Sequence, residues 1–90
     1  MANHKSAWKR LRQNEKRRDR NRYWKSTMRT SIKQVRQAVE AGELEQAQTA
    51  LRSASSTIAR VASKGVIHKR TASRRISRLT LLVNKLATAE

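Results

Sequence analysis

The sequence predicts an all-α fold: an antiparallel three-helix bundle whose first helix is extended into a long basic arm. Three observations predict it. The 90-residue chain has no proline and only two glycines, Gly42 and Gly65, so only two points favour a break. Ala, Arg, Lys, Gln and Leu, all good helix formers, are abundant. Apolar residues recur every three or four positions in three stretches divided by those glycines.

In the first helix Trp24, Met28, Ile32, Val35 and Val39 follow at steps of four, four, three and four, which is one helical face. Upstream nothing interrupts the helix, and Asn3 or Ser6 can cap it. Its length is then roughly 38 residues, about 57 Å at 1.5 Å per residue. Gly42 is the expected C-cap, because it adopts positive φ without steric penalty. Leu44, Ala47, Leu51, Ala54, Ile58 and Val61 form the seam of the second helix, with steps alternating between three and four. Glu43 and Glu45 at its start complement the positive end of the helix dipole. Gly65 ends it, and Val66 or Ile67 stands where a Schellman motif places an apolar residue. The third helix carries Ile76, Leu79, Val83 and Leu86, with Leu82 widening the stripe and His68 or Thr71 as N-cap.

The predicted core is Met28, Ile32, Val35, Val39, Leu44, Leu51, Ile58, Val61, Ile76, Leu79, Val83 and Leu86, with Ala47 and Ala54 small enough for close helix approach. One domain spans residues 1–90, a projecting arm at 1–23 and a bundle at 24–90.

Charge points to the partner. The formal net charge is +16, from 22 Lys and Arg against 6 Asp and Glu. Residues 12–22, RQNEKRRDRNR, have six cations, two acids and no apolar side chain. Residues 1–25 carry a net +8, residues 26–63 only +2, and residues 64–90 +6. In an up-down-up bundle the KGVIHKR turn at 64–70, with Arg74, Arg75 and Arg78, falls near the base of the arm and completes one basic surface. Glu15 can reach Arg18, and Asp19 can reach Arg22, across one helical turn. So concentrated a charge weakens the compact state and calls for a polyanion. Cations surround the arm, which suits insertion between phosphate backbones. With almost nothing to bury, the arm is expected to be largely disordered when free and to order on its partner.

Other classes are disfavoured. Without cysteine there is no disulfide and no thiolate metal site, which fits a reducing compartment. His4 and His68 are too few for a metal site, the acids are sparse and no glycine-rich phosphate loop occurs, so no catalytic residue, metal, cofactor or small-molecule substrate is expected. The longest apolar run, Leu81-Leu82-Val83, falls far short of the ~20 residues of a membrane span. Ala7, Trp8 and Leu11 are too narrow a face for a membrane-surface helix, and the basic N-terminus lacks the apolar stretch of a secretory signal. The rival reading is a DNA-binding regulator or nucleoid protein, with the second helix, the SKGVIHK turn and RTASRRISR as a helix-turn-helix. The heptad seam, which suits near-parallel packing, argues against it.

Trp24 continues the core stripe, whereas Trp8 and Tyr23 lie off it and could stack on a splayed base or a ribose. His68 either bonds a phosphate or 2′-hydroxyl or caps the third helix.

The segments NHKSAWKR (3–10), NEKRRDRNR (14–22), KSTMRTSIKQV (25–35), AGEL (41–44) and, most specifically, KGVIHKRTASRRISRL (64–79) resemble the family of the twentieth protein of the bacterial small ribosomal subunit. The resemblance covers the whole chain. It implies a three-helix bundle with an extended first helix, in the cytoplasm, as a monomer within the small subunit beside other subunit components. It also implies direct binding to 16S ribosomal RNA, chiefly its 5′ domain and also the long penultimate helix. The chain departs from the family pattern at Trp8, Trp24, Ala59 and Arg70; Arg70 cannot accept a hydrogen bond, as the usual Asn can. The expected RNA-binding residues on the arm and its base are Asn3, His4, Lys5, Ser6, Trp8, Lys9, Arg10, Arg12, Asn14, Lys16, Arg17, Arg18, Arg20, Asn21, Arg22, Lys25, Ser26, Arg29 and Lys33. In the second patch they are Lys64, His68, Lys69, Arg70, Thr71, Arg74, Arg75, Ser77 and Arg78.

Overall fold

The computed structural model describes the backbone of residues 3–89 and the side chains of residues 5–89. It has three helices, α1 (Asn3–Glu40), α2 (Leu44–Ser63) and α3 (Lys69–Ala89). No strand occurs among the described residues. The expected all-α fold with a long first helix is observed.

The two glycines end the first two helices in the same way. Gly42 has φ 73° and Gly65 φ 76°. After α1 the Gly42 N–H donates to the Val39 carbonyl (3.0 Å) and the Glu43 N–H to the Ala38 carbonyl (3.1 Å). After α2 the Gly65 N–H donates to the Ala62 carbonyl (3.0 Å) and the Val66 N–H to the Val61 carbonyl (3.3 Å). Both are Schellman motifs, in which a left-handed residue turns its own amide and the next one back onto carbonyls the helix leaves unpaired. Val66 is half-buried against the core, as the sequence suggested. At the other end of α2 the N-cap is Glu43, which makes no side-chain capping bond, while Glu45 sits in the first turn. α1 begins at Asn3 with Ser6 inside its first turn; the Asn3 side chain, and with it its capping role, lies outside the described residues.

α2 is the middle element. It packs most heavily on α1 and next on α3, while α1 and α3 touch least. The core consists of Met28, Ile32, Val35 and Ala38 from α1, Ala47, Ala54, Ile58 and Val61 from α2, and Ala72, Leu79 and Val83 from α3. Four of these eleven are alanines, so the helices meet closely at their centre. That corrects the expected core: Val39, Leu44, Leu51, Ile76 and Leu86 are only half-buried and rim the centre. Ser31 also lies inside, where its hydroxyl donates to the Met28 carbonyl at 2.8 Å. The bond removes the cost of burying it.

The chain measures 69 × 21 × 14 Å with a radius of gyration of 18.0 Å; a compact chain of this length has about 12 Å. The excess is the arm, whose side chains are exposed at every position from Lys5 to Arg20. The helices run along the long axis. At 20 and 21 residues, α2 and α3 are each about 30 Å long, more than either short dimension. The steep crossing of a helix-turn-helix does not fit this shape.

Candidate nucleic-acid interface

The interface is built outward from the point where α1 leaves the bundle. Trp24 lies half-buried on the core there. The Tyr23 ring stands edge-on to it, 5.3 Å between centroids at 76°. The Lys64 Nζ sits 5.8 Å from the Trp24 ring centroid, close enough for a cation–π attraction. This contact places the α2–α3 turn beside the base of the arm. In that turn the Arg70 N–H donates to His68 Nδ1 at 3.1 Å. His68 therefore caps α3, one of its two expected roles, through Nδ1 alone. Accepting at Nδ1 places the proton of the neutral ring on Nε2.

From Trp24 outward the core face of α1 changes chemistry but not rhythm. Met28 and Trp24 are followed upstream by Asn21, Arg17, Asn14 and Arg10 at the same steps of three and four. The stripe that is apolar in the bundle alternates amide and guanidinium on the arm. Asn14, Arg17, Arg18, Asn21, Arg22, Lys25, Ser26 and Arg29 wall a shallow groove along it. At about 100° per residue, Glu15 and Asp19 fall on the opposite side of the helix from the Arg10–Asn14–Arg17–Asn21 stripe, which itself carries no acid. Among the described residues no ion pair joins Glu15 to Arg18 or Asp19 to Arg22. Fully solvated charges gain too little from pairing to fix two long side chains.

A second row, Arg22, Arg29, Lys33 and Arg36, carries the charge from arm to bundle along one flank of α1. It meets α3 in a groove lined by Arg36, Val39, Glu40, Arg78, Leu79 and Leu82. This corrects two expectations. Arg78 does not lie at the base of the arm. Nine residues beyond Lys69 it has risen about 14 Å along α3 and stands near the far end of α1. Arg36 belongs to the basic surface although the sequence reading omitted it. Its place three residues after Lys33 and seven after Arg29 was the available signal.

Of the expected RNA-binding residues, Lys5, Ser6, Trp8, Lys9, Arg10, Arg12, Asn14, Lys16, Arg17, Arg18, Arg20, Arg22, Lys25, Ser26, Arg29 and Lys33 are exposed on α1. Lys64, His68, Lys69, Arg70, Arg74, Arg75, Ser77 and Arg78 are exposed on the turn and α3. Asn21 and Thr71 are half-buried. The side chains of Asn3 and His4 lie outside the described residues. Among the described residues no group of three His, Cys, Asp or Glu side chains is placed to hold a metal, and no helix is long and apolar enough to cross a membrane.

A basic, solvent-clad helix projecting from a small helical bundle defines a class: proteins whose folded body is only part of the molecule and whose remaining length is charged surface. Comparison with known proteins then specifies the family. The model of the family described as Ribosomal protein S20 matches residues 2–84. The small ribosomal subunit protein bS20 of Trichlorobacter lovleyi is 59% identical over 86 residues, covering 96% of this chain and 99% of that protein. Its counterpart in Geotalea daltonii is 58% identical over 97% of this chain and 100% of its own length. That of Magnetococcus marinus is 58% identical over 99% and 97%. The chain belongs to the ribosomal protein S20 family.

Proposed function

We propose that the chain is a structural constituent of the bacterial small ribosomal subunit in the cytoplasm. There it binds 16S ribosomal RNA directly, as a monomer beside other subunit components, chiefly in the 5′ domain and also near the long penultimate helix. The supporting observation is the acid-free face of the arm. It continues the core stripe as Arg10, Asn14, Arg17 and Asn21, and its outer part, Arg10, Asn14 and Arg17, is exposed. The arm, residues 1–23, lies between RNA helices, where its cations neutralise phosphates that repel one another. Arginine forks suit two-point phosphate contacts, and amides suit the 2′-hydroxyls of a shallow A-form minor groove. The second patch, from Lys64 to Arg78 with Arg36 across the groove, extends the contact along the bundle. Neither role requires catalysis, metal or cofactor.

The test is binding to a 5′-domain 16S RNA fragment across a salt series, with random RNA and duplex DNA as competitors. Affinity falls steeply with salt for any polyanion, because bound counterions are released; selectivity carries the decision. The ribosomal fragment is expected to survive competition at moderate salt. Equal competition by duplex DNA would reduce the surface to a general polyanion binder and favour the nucleoid reading.

A further inference from the structure

The two tryptophans have opposite surroundings. Trp24 packs on the core and has Tyr23 and Lys64 as partners. Trp8 lies 16 residues upstream, about 24 Å along the helix axis, where no part of the bundle reaches it. Its side chain is 61% exposed. Lys5, Trp8, Lys9 and Arg12 line one shallow hollow, and Leu11 is 50% exposed one turn further on. No acid occurs before Glu15. A large flat ring held in the open on the helix and ringed by cations matches what an unpaired nucleobase needs, namely a face to stack on with positive charge for the phosphates on either side. A continuous duplex offers no such base, since its rings are already stacked on one another.

We infer that Trp8 is a stacking platform for one unpaired base of the bound RNA, with Lys5, Lys9 and Arg12 holding the flanking phosphates. The site lies on the side of the arm away from the Arg10–Asn14–Arg17–Asn21 face, so the arm contacts RNA on two sides. One side follows a backbone, and the other holds a flipped or bulged nucleotide at the outer end. The inference rests on the RNA-binding reading above and specifies the ligand at one point of that surface.

The experiment uses the full chain carrying Trp24→Phe, so that Trp8 is the sole tryptophan emitter. Three RNAs are titrated: a continuous duplex, the same duplex with a single bulged adenosine, and the 5′-domain 16S fragment. Trp8 emission is expected to be strongly quenched by the bulged duplex and the 16S fragment and little changed by the continuous duplex. Trp8→Ala is expected to weaken binding to the bulged duplex about 5- to 150-fold, the range for loss of one base–aromatic stack. The salt slope should be unchanged because no phosphate contact is lost, and Trp8→Phe should retain most of the affinity. Equal quenching by both duplexes, or wild-type affinity of Trp8→Ala for the bulged RNA, overturns the platform. If Trp8→Ala still selects the 16S fragment over duplex DNA, the platform fails while the ribosomal reading stands. Loss of that selectivity in the unsubstituted chain, with bulge-specific quenching retained, keeps the platform and removes the ribosomal assignment. Trp8 emission that ignores all three RNAs but shifts with other small-subunit proteins would make it a protein contact instead.

Discussion

The arm and the bundle are halves of one molecule, and α1 belongs to both. In the bundle its inward face is Met28, Ile32, Val35 and Ala38, closed over by α2 and α3. On the arm the same face, in unbroken register, is Asn21, half-buried at the base, and then Arg17, Asn14 and Arg10, all exposed. Backbone conformation is the same in both halves and the source of stability is not. Packing of an apolar face supplies most of a helix's stability in water, and only the bundle has one. The arm has helix-forming residues but concentrated like charge, so its order depends on a partner that supplies the missing face. The charge that destabilises the free arm thus becomes the binding energy once phosphates surround it.

The largest expected contrast comes from one substitution in each half. Ile58→Ala removes a fully buried side chain and is expected to cost about 2–5 kcal/mol in chemical denaturation, enough to unfold so small a domain. Arg17→Ala is expected to change stability by less than about 0.5 kcal/mol while lowering the salt slope of RNA binding by roughly one unit. A large stability loss from Arg17→Ala would mean that the arm contributes to the fold.

Gly65→Ala and Gly42→Ala sharpen the comparison next. No atom lies within 4 Å of where either new Cβ would stand, so the cost is conformational, about 1–2 kcal/mol for a left-handed residue. Thermal melts should show similar losses for the two. Only Gly65→Ala should also weaken RNA binding, because it displaces the turn carrying Lys64 and His68. Equal effects on binding would show that the turn's position beside the arm is immaterial.

Leu51→Ala grades the bundle internally. Leu51 is half-buried on the rim, so its loss on denaturation should be clearly smaller than that of Ile58→Ala; parity would place it in the centre. The smallest effect is a gain. Glu43 caps α2 without a side-chain bond, and Glu43→Asp, which shortens the side chain to one that can reach back, should stabilise the bundle by about 0.5–1 kcal/mol with RNA affinity unchanged.

The sequence made the helices legible because apolar spacing and glycine position report local geometry directly. The Schellman ends at Gly42 and Gly65, the place of Trp24 and the length of α1 could all be read that way. The depth of each core residue could not. Periodicity treats Ala38 and Val39 alike, and only the close approach of α1 to α2 decides that alanine goes to the centre and valine to the rim. The basic character of the interface was plain from charge counts, as were most of its residues. Its path was not: whether Arg78 meets the arm or meets Arg36 depends on how far α3 has climbed by residue 78, a distance set by packing. His68 could be read as a cap or a ligand, and its capping role is seen only in the Arg70 N–H on its Nδ1.

The most direct test of the difference between the halves is amide hydrogen exchange of the full chain, free and bound to the 5′-domain 16S fragment, read residue by residue. Amides of residues 8–22 should exchange freely in the unbound protein and become strongly protected on RNA, while those of residues 47–61 stay protected in both states. Protection across 8–22 in the free protein matching that of α2, or no gain there on binding, would contradict the account.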